Sequence, residues 1–251
     1  MIIQYFMSKI LIIPDVHSRI FWKKDAEKYL NEIDKIVFLG DYIDPYPNEA
    51  EEHYDSNSQC LKEIINFKKE NSDKVILLLG NHIDHYIWDN FPRSTRFEKF
   101  NCRNYEKILT DNLELFNIVW VEDNVVFSHA GITEGWKEDC KGIIYPDDEN
   151  PTILEFAQFL SKLSPKDINY NYQILLGKLS YYRGGYGKWG SCEWADIIEH
   201  TKSNEPVKYE NIYQVFGHSQ LKAEFITDTW ACLDCRKSFL IDTNTHDITK
   251  A

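Results

Sequence analysis

Short apolar runs rich in Val, Ile, Leu and Phe recur along the chain. Five of them cover residues 10–13, 36–39, 75–79, 125–127 and 213–216, and Gly, Pro or Ser follows each one. Runs of this length and composition are typical of buried β-strands. In the first half they alternate with segments of helical periodicity at residues 22–30 and 57–69. This alternation predicts strand–helix–strand units and a largely parallel sheet.

The second half of the chain has a different pattern. Residues 153–163 have helical periodicity and follow Pro151, where a helix commonly starts. Residues 116–121 and 125–127 are predicted to pair as a hairpin around residues 122–124. Consecutive strands are predicted at residues 215–216, 223–227, 230–233 and 238–241. Because no linker or repeat interrupts the chain, we expect one domain over residues 1–251, with two face-to-face sheets and helices outside.

The composition excludes several classes of protein. Of the 251 residues, 43% are hydrophobic and 14% aromatic, which is enough for a large core and excludes a disordered chain. The net charge of −12 disfavours long nucleic acid as a partner, because Lys and Arg supply most of the affinity for phosphates. A small phosphorylated substrate stays open, since bound divalent cations would make a site locally positive.

Cysteine usage and hydropathy indicate the compartment. The six cysteines, at positions 60, 102, 140, 192, 232 and 235, are too few for a disulfide scaffold in a chain of this length. Cys232-Leu233-Asp234-Cys235 has no second ligand pair at zinc-ribbon spacing, and we interpret it as part of a strand. No apolar run approaches the roughly 18 residues of a membrane span. We therefore expect a cytoplasmic protein with no membrane anchor, translated from Met1 or Met7.

Each of the five apolar runs leads into a residue that can bind a metal ion. These residues are Asp15 and His17 after the first run, Asp41 and Asp44 after the second, Asn81 and His82 after the third, His129 after the fourth, and His218 after the fifth. A single such residue is more often a strand-end cap or a hydrogen-bonded structural residue. Because ligands collect at the carboxyl ends of strands, five such endings together predict one site built from loops.

The donor types in this set indicate the class of cation. Carboxylate, imidazole and amide oxygen suit a borderline-hard divalent ion such as Mn, Fe, Zn or Co. No thiolate belongs to the set, which disfavours a structural zinc site. The set is too large for one catalytic ion with an open position, whereas two ions that share a bridging carboxylate would use it fully.

The order of the motifs resembles that of the calcineurin-like metallophosphoesterase superfamily. The motifs are Asp-X-His, Gly-Asp-X-X-Asp, Gly-Asn-His, His-Ala-Gly and Gly-His, and they extend from Asp15 to His218. The resemblance implies an α/β fold in which two mixed β-sheets, flanked by α-helices, form a four-layer sandwich. It also implies a dinuclear centre at the strand ends, for which we favour Mn.

The resemblance also assigns roles to single residues. It implies that Asp15, His17 and Asp41 hold one ion. It implies that the second ion is held by Asp41, Asn81, His129 and His218, so that Asp41 bridges the two. By the same resemblance, His82 is the general acid and Asp44 is the carboxylate that orients it.

The branch of the superfamily can be narrowed. Ser128-His129-Ala130-Gly131 and the single His of Gly217-His218-Ser219-Gln220 are similar to phosphoprotein phosphatases, phage-type phosphatases and symmetrical diadenosine tetraphosphate hydrolases. Two positions depart from that branch. In that branch the motif Gly-Asp-X-X-Asp is followed by an Arg that binds phosphate, whereas here Asp44 is followed by Pro45. The branch also has Glu directly after Gly-Asn-His, whereas here Ile83 follows and the acidic residue, Asp84, comes one place later.

We expect another arginine to bind substrate phosphate in place of the missing one. Arg183 is the first candidate, because the glycines after it let backbone approach an anion and its planar fork suits phosphate. Arg93 and Arg96, a short way after His82, are weaker candidates. A solvated loop position is the alternative for Arg183.

The predicted function is hydrolysis of a phosphoester by a metal-bridging hydroxide, with His82 protonating the leaving oxygen. A phosphomonoesterase acting on a phosphoprotein, a nucleotide or a small metabolite is favoured. The first alternative is a phosphodiesterase or dinucleoside polyphosphate hydrolase with the same centre. The second is a non-catalytic metal-binding scaffold protein, although every ligand and acid position is present. The sequence indicates neither the substrate nor the oligomeric state.

Overall fold

The computed structural model describes residues 8–202 and 212–251. The strands are β1 (Lys9–Ile13), β2 (Lys35–Phe38), β3 (Val75–Leu78), β4 (Phe116–Asn117), β5 (Val119–Glu122), β6 (Val125–Ser128), β7 (Tyr213–Phe216), β8 (Phe225–Ile226), β9 (Trp230–Cys232), β10 (Phe239–Asp242) and β11 (Ile248–Lys250). The α-helices are α1 (Phe21–Tyr29), α2 (Asn57–Glu70), α3 (Asn81–Ile87), α4 (Cys102–Thr110), α5 (Glu134–Asp139), α6 (Ile153–Leu160), α7 (Tyr170–Leu176) and α8 (Ile197–Lys202). Met1 and Met7 lie outside the described residues.

The strands form two mixed sheets, as predicted. The first sheet has the order β11-β10-β1-β2-β3-β4, in which β1 to β4 are parallel and β10 runs antiparallel to β1. The second has the order β5-β6-β7-β9-β8, in which β6, β7 and β9 are parallel. In the described ranges, no helix is long and apolar enough to cross a bilayer.

Strand β1 shows how the sheets and helices are layered. Ile12 belongs to the cluster that includes Phe127 of the second sheet, whereas Leu11 belongs to the cluster that includes Ala26 of helix α1. Successive side chains of a strand point to opposite faces, so a strand covered on both faces needs apolar residues at every position. This is why β1 is a continuous apolar run.

The predicted helices are present, with small shifts at their ends. Helices α1 and α2 lie within one residue of the segments predicted for them. Helix α6 starts at Ile153 with a capping box, in which the side chains of Thr152 and Glu155 bond each other's backbone N–H. Pro151 therefore precedes the cap, and the helix ends at Leu160, earlier than predicted.

The hairpin prediction was right for its turn and wrong for its first strand. The apolar run at residues 116–121 is divided between the two sheets, because β4 pairs with β3 and β5 pairs with β6. The chain crosses from one sheet to the other at Ile118, which is fully buried. Both halves of the run are covered by core, so their hydrophobicity did not reveal the crossing.

Candidate metal centre

The polar residues that follow the parallel strands lie together where the two sheets meet. Some of these residues follow β1, β2 and β3 of the first sheet, and the others follow β6 and β7 of the second sheet. The predicted ligands are all buried, with exposed fractions of 9% or less: Asp15, His17, Asp41, Asn81, His129 and His218. The structure therefore brings together every predicted metal ligand.

The backbone at the centre is strained in a way that points to function. His17, Asp41, Asp44 and His218 all have positive φ, with values of 45°, 46°, 62° and 63°. Residues other than Gly rarely adopt this left-handed conformation, and such residues cluster at active sites. The strain at the first two is held by a hydrogen bond that the backbone N–H of His17 donates to the carbonyl of Asp41, at 2.7 Å.

Two glycines let the strand ends approach closely enough to form the centre. Gly40 has a φ of 116°, and a Cβ there would lie 2.5 Å from the carbonyl oxygen of Leu79 on the next strand. A Cβ at Gly217 would lie 2.1 Å from Asp15 Oδ1. Any other residue at either position would push the loops apart.

One half of the centre, which we call the imidazole side, consists of Asn81, His129 and His218. His129 Nε2 lies 2.9 Å from Asn81 Oδ1 and 3.1 Å from His218 Nδ1, and the last two atoms are 2.9 Å apart. His129 Nδ1 donates to the carbonyl of Leu39 at 2.8 Å, which turns Nε2 toward the other two donors. Ligands at about 2.0–2.2 Å from one cation lie roughly 3 Å apart, so this trio fits an ion.

The other half, which we call the carboxylate side, contains Asp15 and His17. His17 Nε2 lies 3.9 Å from Asp15 Oδ2 and 3.7 Å from Asp41 Oδ2. His17 Nδ1 donates to the carbonyl of Ile43 at 2.9 Å, so its Nε2 faces the centre. The backbone N–H of His218 donates to both oxygens of Asp15, at 3.0 and 3.1 Å, and this fixes the carboxylate.

Asp41 lies between the two sides. Its Oδ2 is 3.5 Å from His129 Nε2 and 3.7 Å from His17 Nε2. Two groups of side chains have potential ligand atoms within 4.8 Å of one another, and Asp41 belongs to both; its partners are His17 and His82 in one group and His129 and His218 in the other. The second carboxylate oxygen, Oδ1, accepts from the backbone N–H of His82 at 2.8 Å.

Charges in the centre shift the pKa values of its ionisable side chains. Burial opposes ionisation of Asp41, but His129, His82 and His17 outweigh it and lower its pKa to about 2. Burial lowers the pKa of His129, but Asp41 and Asp15 outweigh it and raise that pKa to about 9. Burial raises the pKa of Asp15 to about 6, because its neighbours compensate less. Burial also lowers the pKa of His17 and His218, which keeps both imidazoles in the neutral form that binds metals.

His82 and Asp44, the predicted acid and its partner, are in contact. His82 Nδ1 lies 3.0 Å from Asp44 Oδ2, and the other oxygen of Asp44 accepts from Tyr86 Oη at 2.8 Å. His85 Nε2 lies 3.3 Å from the same Asp44 oxygen as His82. Ser94 Oγ lies 3.0 Å from the Nδ1 atoms of both histidines. Asp44 is thus held by a buried network of which the sequence had indicated only His82.

The three candidate arginines lie in different surroundings. Arg96 donates from Nε to the carbonyl of Asp44 at 2.9 Å and from Nη2 to His82 Nε2 at 3.2 Å. Its guanidinium carbon lies 3.6 Å from the ring centroid of Tyr46, and within the described chain it forms no ion pair.

Arg183 and Arg93 are engaged elsewhere. Arg183 Nε forms an ion pair with Asp196 at 2.9 Å, and its Nη2 donates to Ser219 Oγ at 2.8 Å. Arg93 is exposed and lies over the ring of Phe97, at 4.8 Å from the centroid. Of the three, Arg96 is the one that contacts the predicted acid.

Ion pairs hold the acidic loop that follows Asp44. Glu49 accepts from Arg19 at 2.8 and 2.9 Å and from Arg236 at 2.9 Å, and its side chain is 8% exposed. These ion pairs hold the loop beside the centre. Tyr46, in the same loop, packs edge-on against His17 with 5.0 Å between ring centroids.

Three buried carboxylates near the centre were missed by the reasoning from sequence. None of the side-chain oxygens of Asp84, Glu193 and Asp234 has a hydrogen-bond partner among the described residues. Asp84 lies two residues after His82 of the Gly-Asn-His motif, so its position is a signal in the sequence. Asp234 follows the apolar run at residues 230–233, so the rule that found the other ligands also applies to it. For Glu193 we find no comparable signal.

Comparison with known proteins identifies the class. The model of the calcineurin-like phosphoesterase family matches residues 8–221. The chain belongs to this family and is a hydrolase that acts on phosphoester bonds. None of the curated proteins matches it significantly.

Solved structures agree with the fold. A cold-active protein-tyrosine phosphatase of Shewanella sp. is similar with a TM-score of 0.60 and 13% identity, over 98% of this chain and 80% of that one. A protein serine/threonine phosphatase from Saccharomyces cerevisiae is similar with a TM-score of 0.53 and 12% identity, over 97% of this chain and 79% of that one. At such low identity the likeness shows the shared fold alone.

Proposed function

We propose that this chain is a dinuclear-metal-dependent phosphomonoesterase in which His82 acts as the general acid. The observation that carries the proposal is the position of Asp41 between two groups of metal-binding atoms, beside His82. A catalytic centre needs both parts, and a structural metal site would need no acid. The arrangement therefore also disfavours a non-catalytic scaffold.

The donor set supports two cations that share Asp41. Asn81, His129 and His218 would hold one of them, and Asp15 and His17 would hold the other. Nitrogen and oxygen donors without thiolate suit Mn, Fe, Zn or Co, and we favour Mn. When bound, such cations lower the pKa of a water molecule and neutralise charge on the phosphoryl oxygens.

The contacts of His82 suit proton transfer to a leaving oxygen. A guanidinium has only donors, so Arg96 Nη2 requires a lone pair on His82 Nε2. The ring proton then lies on Nδ1 and is donated to Asp44. When Arg96 transfers its hydrogen bond to a phosphate, Nε2 becomes free to take up a second proton from the solvent. Asp44 would stabilise the resulting imidazolium and keep Nε2 directed at the substrate.

We further propose that Arg96 binds the substrate phosphate. Arg96 donates a hydrogen bond to the carbonyl oxygen of Asp44. It therefore lies beside position 45, where the related phosphatases have their phosphate-binding arginine. Among the described residues no carboxylate forms an ion pair with Arg96, whereas Arg183 pairs with Asp196. An unpaired guanidinium beside the acid favours a dianionic monoester over a diester.

The proposed substrates are phosphorylated compounds. Both similar structures described above are protein phosphatases, which favours a phosphorylated side chain as the first substrate to test. A phosphodiester or a dinucleoside polyphosphate is the alternative with the same centre. That alternative becomes the better assignment if Arg96 proves to have no role in binding phosphate.

A substrate panel on reconstituted protein tests the proposal. The protein is freed of metal with a chelator and titrated with Mn²⁺, and bound metal is measured by elemental analysis. We expect two ions per chain, activity only in their presence, and faster hydrolysis of p-nitrophenyl phosphate and phosphopeptides than of bis-p-nitrophenyl phosphate or diadenosine tetraphosphate. Metal-independent activity, or faster diester hydrolysis, would contradict it.

A further inference from the structure

Asp234 lies at the same edge of the second sheet as the histidines of the centre. Strands β7 and β9 are parallel neighbours with Phe216 opposite Cys232, and the backbone N–H of Leu233 continues the pairing with a 2.9 Å bond to the carbonyl of Phe216. Extended by two residues, this register places Asp234 beside His218. The sixth apolar run thus ends, like the other five, in a residue that can bind a metal.

Close packing around Gly217 puts Asp234 next to Asp15. A Cβ at Gly217 would lie 2.1 Å from Asp15 Oδ1 and 3.8 Å from the Cβ of Asp234. Both acidic side chains therefore border the same small space on the carboxylate side. Burial raises the pKa of Asp234, and the neighbouring Asp15 raises it further.

The carboxylate of Asp234 lacks a partner that would explain its burial. The residue is 1% exposed, and neither oxygen accepts a hydrogen bond from the described residues. The buried guanidinium of Arg19 lowers the pKa of Asp234 from a distance, but it donates its hydrogen bonds to Glu49 and to the carbonyl of Asp15. A buried carboxylate that accepts no hydrogen bond is costly, and a bound cation would remove that cost.

The cysteines on either side of Asp234 do not form a competing site. The thiol of Cys232 donates a hydrogen bond to the carbonyl oxygen of Gly217 at 3.3 Å, and this bond holds β9 against β7. Burial raises the pKa of both Cys232 and Cys235, which disfavours the thiolate form that binds metals. The residue of this segment suited to a cation is the aspartate.

We propose that Asp234 is an additional acidic residue of the metal centre and contributes a carboxylate to the cation on the carboxylate side. The inference rests on the proposed function, because it assumes that a cation is bound there. With Asp234, that position has three carboxylates, including Asp15 and Asp41, and a single imidazole, His17. Oxygen-rich positions prefer harder cations, so Asp234 should favour Mn²⁺ over Zn²⁺.

The test compares Asp234→Asn with Asp228→Asn, an equal change of charge at an exposed residue in the turn before β9. Two quantities are measured: the Kd of each Mn²⁺ ion by calorimetry, and the melting temperature of the metal-free protein. For Asp234→Asn we expect a Kd for one of the two ions that is about 10–100-fold weaker, as is typical when residues that support a metal site are removed. The Kd for Zn²⁺ at the same position should change less.

The metal-free melting temperature separates metal binding from a structural role. Removing a buried carboxyl group that accepts no hydrogen bond and lies beside Asp15 should raise the melting temperature of metal-free Asp234→Asn, whereas Asp228→Asn should change neither quantity. A lower melting temperature, or an unchanged Kd for both ions, would overturn the inference. Asp234→Glu, which keeps the charge, should retain most of the Mn²⁺ affinity.

The same titration distinguishes failure of this inference from failure of the proposed function. If the unmodified protein binds fewer than two Mn²⁺ ions, the dinuclear proposal itself is wrong. If it binds two and Asp234→Asn binds them equally well, only the role of Asp234 is wrong.

Discussion

The two sides of the centre differ in how closely their donor atoms approach. On the imidazole side, the donors of Asn81, His129 and His218 lie 2.9–3.1 Å from one another. On the carboxylate side, His17 Nε2 stays 3.7–3.9 Å from the carboxylates of Asp41 and Asp15.

The charges on the two sides also differ. Although burial opposes it, Asp41 and Asp15 raise the pKa of His129 to about 9, which favours its protonated form near neutral pH. On the carboxylate side, burial lowers the pKa of His17, and Asp15 and Asp41 repel one another. If cations bind as proposed, they would displace a proton on the first side and relieve repulsion on the second.

The largest expected effect comes from the residue that joins the two sides. Asp41→Asn should reduce hydrolysis to background, because the shared charge holds both cations. Elemental analysis should show lower occupancy of both positions. Full occupancy together with normal activity would refute the bridging role of Asp41.

The acid beside the carboxylate side should give the next largest effect. His82→Ala should lose about 10²–10⁴-fold in kcat on an alkyl phosphate, the usual contribution of general acid catalysis. The loss on p-nitrophenyl phosphate should be much smaller, because p-nitrophenolate leaves without a proton. Asp44→Asn should show a milder version of the same pattern. Equal losses on the two substrates would mean that His82 is not the acid.

The arginines provide a matched pair of variants. Arg96→Ala should lower kcat/KM for a monoester by roughly ten- to a hundredfold, corresponding to a charge-assisted contact of about 1.5–3 kcal/mol. Inhibition by inorganic phosphate should weaken in parallel, and metal content should not change. Arg183→Ala should cost no more than about fivefold, since it removes an ion pair that is partly exposed.

A larger loss of kcat/KM in Arg183→Ala than in Arg96→Ala would assign phosphate binding to Arg183, the first candidate from the sequence. If neither variant weakens phosphate inhibition, a diester or polyphosphate substrate becomes the better assignment. Arg93→Ala is the control, because that arginine is exposed and contacts Phe97.

The smallest effect concerns the proton on the imidazole side. Below a pKa of about 9 the metal-free His129 is protonated, and a metal ion binds its neutral form. Binding of Mn²⁺ at pH 7.5 should therefore release about one proton, and the affinity should rise about tenfold per pH unit until pH approaches 9. Calorimetry in buffers of different ionisation enthalpy measures the release. A release that does not decrease at pH 10 would contradict the assignment to His129.

The sequence by itself determined the fold class and the composition of the centre. Continuous apolar runs predicted strands covered on both faces, and the polar residues that end those runs predicted a shared site, because ligands collect at strand ends. All six predicted ligands, from Asp15 to His218, are together in the structure. The single domain over residues 1–251, the preference for Mn and the cytoplasmic location stay predictions.

Only the tertiary structure decided which arginine faces the acid and which further carboxylates surround the centre. Arg183 ends a short 3₁₀ helix and Arg96 lies in a turn. Nothing local in the sequence shows that Asp196 neutralises one while the other reaches His82. Asp234 follows an apolar run, but its place in the segment Cys232–Cys235 predicts a strand residue and not a ligand. Its proximity to Asp15 depends on the pairing of β7 with β9, a contact between distant segments that local patterns do not encode.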